Sequence, residues 1–79
     1  MTKTFITITI TYYNNRLLAP DVHYYKDDGV NPPISDWDMD VDTANHMMWE
    51  LVKLGGENSY RSNRFDNAIS VRQVLYWGQ

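Results

Sequence analysis

Asp36, Asp38, Asp40 and Asp42 alternate with Trp37, Met39 and Val41, so an acid falls at every second position. In an extended segment successive side chains point to opposite faces. The four carboxylates then form one row, and the three apolar residues face the protein. Neighbours in the row stand ~6.6 Å apart, twice the strand rise and of the order of the spacing between phosphates along a nucleic-acid strand. Three chemistries suit such a row. It can be a solvated edge whose charges discourage strand addition and cap a helix. It can dock into a basic groove as a DNA mimic. It can hold Ca²⁺, because Asp-x-Asp-x-Asp matches the opening of an EF-hand loop. The glycine that loop requires is Val41 here, and the downstream Glu is misplaced. Asp is a poor strand former, and close like charges raise one another's pKa and oppose folding. A row kept against those penalties points to a use for the charge.

Other constellations are thinner. Asp42, His46 and Glu50 recur at i, i+4 and i+8 and share a helix face. A hard or borderline metal takes carboxylate and imidazole ligands; a polar outer face with a His46–Glu50 pair explains the same spacing. The His-Glu-x-x-His signature is absent. Arg61, Arg64 and Arg72 lie among Tyr60, Phe65, Tyr76 and Trp77, a mixture that can bind single-stranded nucleic acid. Three arginines in an acidic chain favour pairing with acids and stacking on rings instead. Trp49 falls at the edge of an apolar helical stripe and, if exposed, is a hot-spot candidate for a partner. No Cys nucleophile, Gly-rich phosphate loop or Gly-x-Ser-x-Gly elbow is present, and His23 and His46 sit in no signature. The reading is non-enzymatic, with no catalytic residues, no cofactor and no committed metal site.

The elements that must position these residues follow from periodicity. Ile6, Ile8, Ile10 and Tyr12 alternate with Thr7, Thr9 and Thr11, which predicts a strand over 3–13 with one buried and one wet face. Asn14-Asn15 suits a tight turn. A second strand is expected from about 16 to 25, weakened or placed at an edge by Pro20, with Lys26-Asp27-Asp28-Gly29 as the next turn. Pro32-Pro33 holds the chain extended into the aspartate row. That row is either a short edge strand or an extended lead into a helix. Asp42 or Asp40 caps the helix. Ala44, Met47, Met48, Leu51 and Leu54 form its apolar stripe, with Val52 at the margin, and Gly55-Gly56 stops it. Two further strands are expected at about 58–65 and 68–77, joined at Asp66-Asn67. The fold class is α+β: a single domain over 1–79, in the order β-β-(β)-α-β-β. Its antiparallel sheet has about four strands, with one helix packed on one face.

Seventy-nine residues make a small core, so modest stability or self-association as a homodimer is expected. The 43% apolar content is that of a globular chain. Without cysteine there is no disulfide framework and no thiolate metal site. No apolar run is long enough to span a membrane, and the first residues lack a signal-peptide pattern. A cytoplasmic protein is therefore expected. The net charge of −3 hides a polarity: residues 21–50 carry eight acids against Lys26, while the flanking thirds are basic. A basic partner is drawn to the centre of the chain.

The run Met47-Met48-Trp49-Glu50-Leu51-Val52-Lys53-Leu54-Gly55-Gly56, followed by Asn63-Arg64-Phe65-Asp66, resembles small accessory proteins of phages and mobile elements. In type, a small, acidic, cysteine-free domain is similar to anti-CRISPR proteins. That resemblance implies a phage-encoded inhibitor in the host cell cytoplasm that occupies a basic surface of a nuclease complex; no functional residue transfers by alignment. The expected partner site comprises Asp36, Asp38, Asp40 and Asp42, helped by Asp27, Asp28 and Glu50, with Trp37 or Trp49 as anchor. The expected partner is a protein, such as an RNA-guided nuclease, with no direct nucleic-acid contact. The alternative is a Ca²⁺-binding or structural accessory domain.

Overall fold

The computed structural model describes residues 3–13, 17–36, 39–62 and 68–78. Five strands and one helix follow in order: β1 (Thr4–Tyr13), β2 (Asp21–Asp27), β3 (Ile34–Asp36), α1 (Val41–Lys53), β4 (Glu57–Ser62) and β5 (Ala68–Gly78). The strands form one sheet in the order β3-β2-β1-β5-β4, with every pairing antiparallel. The α+β expectation holds. The sheet has five strands where about four were expected, because the optional strand before the helix is present as the three-residue β3.

The Ile/Thr alternation of β1 makes it the central strand. Ile8 and Ile10 are fully buried beneath the helix, and Ile6 and Tyr12 pack at the margin of the same cluster. Register extends that face: Ile8 lies opposite Tyr24 and Val74, and Ile10 opposite Val22 and Arg72. From above, α1 contributes Ala44, Met48 and Leu51. Met47 and Val52 are half-buried beside them, while Leu54, expected in the stripe, is 65% exposed. The reason is that Leu54 is already the C-cap and has left the helical face. Gly55 then adopts φ 99°, a left-handed turn that glycine enters without penalty. Its N–H bonds the carbonyl of Val52, and that of Gly56 bonds the carbonyl of Leu51, which completes a Schellman stop.

Several boundaries differ from expectation. β2 begins after Pro20 and runs to Asp27. It lies between β3 and β1, but β3 pairs only with Tyr24–Lys26, so among the described residues the end of β2 that follows Pro20 pairs with β1 alone. Lys26 and Asp27 remain in the strand, and the turn is built instead by Asp28. The Asp28 carboxylate accepts from the backbone N–H groups of Val30 and Asn31 at 2.8 and 2.7 Å. β4 ends at Ser62. The proposed turns at Asn14-Asn15 and Asp66-Asn67 lie outside the described residues.

Thr7 shows one imperfection: its hydroxyl is buried without a hydrogen-bond partner. Two outcomes follow. Met48→Ala is expected to cost about 2–5 kcal/mol in denaturant melts, since it empties the centre of a small core. Thr7→Val removes an unsatisfied oxygen at similar volume and should leave stability unchanged or raised.

Candidate functional site: an acidic rim

The aspartate row is divided between two elements. Asp36 ends β3, in register with Tyr24. Trp37 and Asp38 lie outside the described residues. Asp40 is the N-cap of α1, with extended backbone at φ −74° and ψ 159°. One of its carboxylate oxygens accepts from the Thr43 N–H at 2.7 Å, and the other accepts from the Thr43 hydroxyl at 2.8 Å. Asp42 belongs to the first helical turn and is not the cap. Alternation therefore stops at Asp40, because helical geometry begins at Val41. A row of four evenly spaced carboxylates does not form. Met39 and Val41 do pack against the core, as the alternation requires.

The acids instead fall at three places in the fold. Asp27 and Asp28 sit at and just beyond the end of β2, and Asp36 ends β3 in register with Tyr24. Met39 shares a shallow hollow with Pro20, Asp21, Val22 and His23. Asp40 and Asp42 lie at the start of α1.

Local hydrogen bonds keep two of these charges fixed. The Asp28 carboxyl is lowered to about 2, chiefly by the Asn31 N–H, then by the Asn31 side-chain amide and the Val30 N–H. The Thr43 N–H and hydroxyl hold the Asp40 carboxyl below its ordinary value. Donors that prefer the ionised form lower a carboxyl pKa, and for Asp40 the N-terminal dipole of α1 acts in the same direction.

Tyrosine hydroxyls engage two of the acids, one across β1 and β2 and one within β2. Thr11 lies opposite Asp21, which brings the Tyr13 hydroxyl to donate to the Asp21 carboxylate. That acceptor raises the Tyr13 pKa. Tyr25 donates to Asp27 at 3.3 Å; burial, followed by the Asp27 charge, raises its pKa. No linear spacing announces the Tyr13–Asp21 pair, which the β1–β2 register brings together, whereas Tyr25 and Asp27 are i and i+2 on one face of β2.

The remaining expected site residues are elsewhere. Trp49 is 53% exposed on the flank of α1 that faces β5, where the Arg72 guanidinium lies 4.9 Å from the ring centroid and donates to Asn45 at 3.4 Å. Arg72 thus stacks on a ring, as expected, while Trp49 is removed from Asp27, Asp28 and Asp36. Glu50 takes Lys53 as its ion partner at 3.4 Å, rather than His46. Both side chains are well exposed, so the pair contributes little. Among the described residues no group of three His, Cys, Asp or Glu side chains could hold a metal ion, which includes Asp42, His46 and Glu50. No helix among them is long and apolar enough to cross a membrane.

The described residues define an α+β domain with a five-stranded antiparallel sheet and one helix. No protein-family model, curated protein or solved structure matches the chain.

The lowered carboxyls have a consequence in acid. A group with a depressed folded pKa contributes stability above its unfolded value, and that contribution fades as pH falls through the folded value. For Asp28 the window runs from about pH 4 down to about pH 2. Asp28→Asn and Asp40→Asn keep side-chain acceptors for the turn and the cap but do not titrate. Asp28→Asn should flatten the loss of melting temperature across that window, and Asp40→Asn should lessen the loss as pH falls below the ordinary carboxyl value. An unchanged acid slope would contradict the fixed charges.

Proposed function

We propose that this chain is a non-enzymatic, acidic protein-binding module that occupies a basic nucleic-acid-binding surface of its partner. The observation that carries this reading is the concentration of acids on three successive elements, called the rim below. Asp27 and Asp28 lie at the end of β2, Asp36 in β3, and Asp40 and Asp42 at the start of α1, and backbone donors favour the ionised form of Asp28 and Asp40. A carboxylate held in place by the backbone loses little further freedom on docking, and preorganisation of this kind favours affinity. A basic groove also attracts such a rim over distance, which speeds encounter. Within that class, the resemblance to anti-CRISPR proteins suggests a phage-encoded inhibitor acting in the host cytoplasm on an RNA-guided nuclease. The rim would stand where nucleic-acid phosphates otherwise lie.

The capping role of Asp40 alters which residues can be reversed without loss of the helix start. Its carboxylate is engaged with Thr43, so Asp36, Asp38 and Asp42 are the better choice for charge reversal. The test uses a panel of purified RNA-guided nucleases, with DNA cleavage and direct binding as readouts. The wild-type chain is expected to inhibit at least one member, and to lose binding as salt screens the contact. Reversing Asp36, Asp38 and Asp42 to Lys should weaken binding by about a hundredfold or more, with the melting temperature little changed. Binding by the reversed variant at wild-type strength would refute the role of the rim. A saturable rise in melting temperature with Ca²⁺ would favour the cation-binding alternative.

A further inference from the structure

The two edges of the sheet are built differently. At one edge β3 has only three residues, follows Pro32-Pro33 and leads into the aspartates. Short length, proline and charge all discourage the addition of another strand. At the opposite edge β4 has six residues and contains no proline. Glu57, Asn58, Ser59 and Tyr60 are all exposed, and among the described residues β4 pairs only with β5. A strand of this length with a free edge is a template for pairing.

The sequence of β4 is self-complementary. It reads Glu57-Asn58-Ser59-Tyr60-Arg61. When two copies run antiparallel about Ser59, position 57 of each stands opposite position 61 of the other. An acid then meets a base twice, and Asn58 meets Tyr60 twice. Opposite charges directly across a strand pair are favourable, and like charges are not.

The helix side of the same edge is also uncovered. Tyr60 lies opposite Arg72, whose guanidinium reaches Trp49. Alternation therefore places Tyr60 on the helix side, beside the flank that carries Trp49. Tyr60 is 68% exposed and Trp49 53%, and α1 packs on β5, β1 and β2. Tyr, Trp and Arg at a rim of this kind are the residue types that anchor interfaces.

We propose that β4 pairs antiparallel with β4 of a second copy, centred on Ser59. The sheet continues through a two-fold axis, with both helices on one side of it. Tyr60 and Asn58 of the two copies meet along the seam between the helices. Each copy keeps its acidic rim at the far edge, so the dimer presents two rims pointing away from each other.

Sedimentation equilibrium and site-directed cross-linking test this on the full chain. The wild type should pass from monomer to dimer with rising concentration. Glu57→Arg places two like-charged pairs in the seam and should raise the dissociation constant about tenfold or more, as should Arg61→Glu. The double exchange of Glu57→Arg with Arg61→Glu restores opposite pairs and should recover most of the affinity. Because the chain has no cysteine, Ser59→Cys should give a disulfide-linked dimer in air, while Ile34→Cys at the other edge should not. Melting curves confirm that each variant folds; if a charge variant does not, the two cysteine variants decide the matter. A chain that stays monomeric up to about 1 mM overturns the proposal. So does a dimer indifferent to both reversals, a double exchange that fails to recover, or cross-linking at Ile34 and not at Ser59.

Discussion

Met48 shares one small core with Ile8, Ile10 and Val74, and none of the four has solvent exposure. A 79-residue chain has room for one such layer and little else. That constraint fixes much of the rest. Two of the four residues come from β1, so β1 must lie beneath the helix and take neighbours on both sides. β5, which supplies Val74, must run beside it for nearly its whole length, from the Thr4–Gly78 pair to the Tyr13–Ala68 pair. The thirteen residues of α1 suffice to cover the middle of the sheet. Its far edge strand, β4, keeps exposed side chains.

The clearest sequence signals come from segments whose two faces have different solvents. β1 shows period two because Ile and Thr divide core from water, and α1 shows its stripe because Ala44, Met48 and Leu51 meet β1 and β5. The Gly55-Gly56 stop is legible for a related reason: a left-handed residue after a helix strongly favours glycine. β2 is harder to delimit. Its start is set by Pro20, but its end depends on pairing, since Phe5 opposite Asp27 and Ile6 opposite Lys26 hold those two residues in the strand. Local turn propensity alone places them in the turn.

The aspartate row shows a different kind of error. Alternation in 36–42 is real in the sequence, and it predicts the inward packing of Met39 and Val41. Yet alternating residues can belong to two elements in succession. Asp40 is the point of change: its extended backbone continues the approach from β3, while its side chain closes the first turn of α1. A carboxylate engaged as the cap is neither a free charge in a row nor an unencumbered ligand. The contact of Asp21 with Tyr13 is illegible for the opposite reason: it arises from how β1 and β2 are brought together. That of Asp27 with Tyr25 is an i,i+2 contact on one face of β2 and becomes legible once the strand is known to reach Asp27.

Charge and edge chemistry divide the molecule in a consistent way. Acids of the central third flank β3 in sequence, and with Pro32-Pro33 they protect a short edge from strand addition. One set of residues can therefore serve both solubility and docking, and a solvated edge need not compete with a binding rim as an explanation. The distinction lies in whether the charges are held. An edge needs only net repulsion, which mobile carboxylates provide. Asp28 and Asp40 are instead fixed by backbone donors, in a turn and at a helix start, and both are shifted toward the ionised form. Those same bonds build the turn and the cap, so folding itself orders the two charges. Asp28 takes its place when the turn after β2 closes, and Asp40 when the first turn of α1 forms.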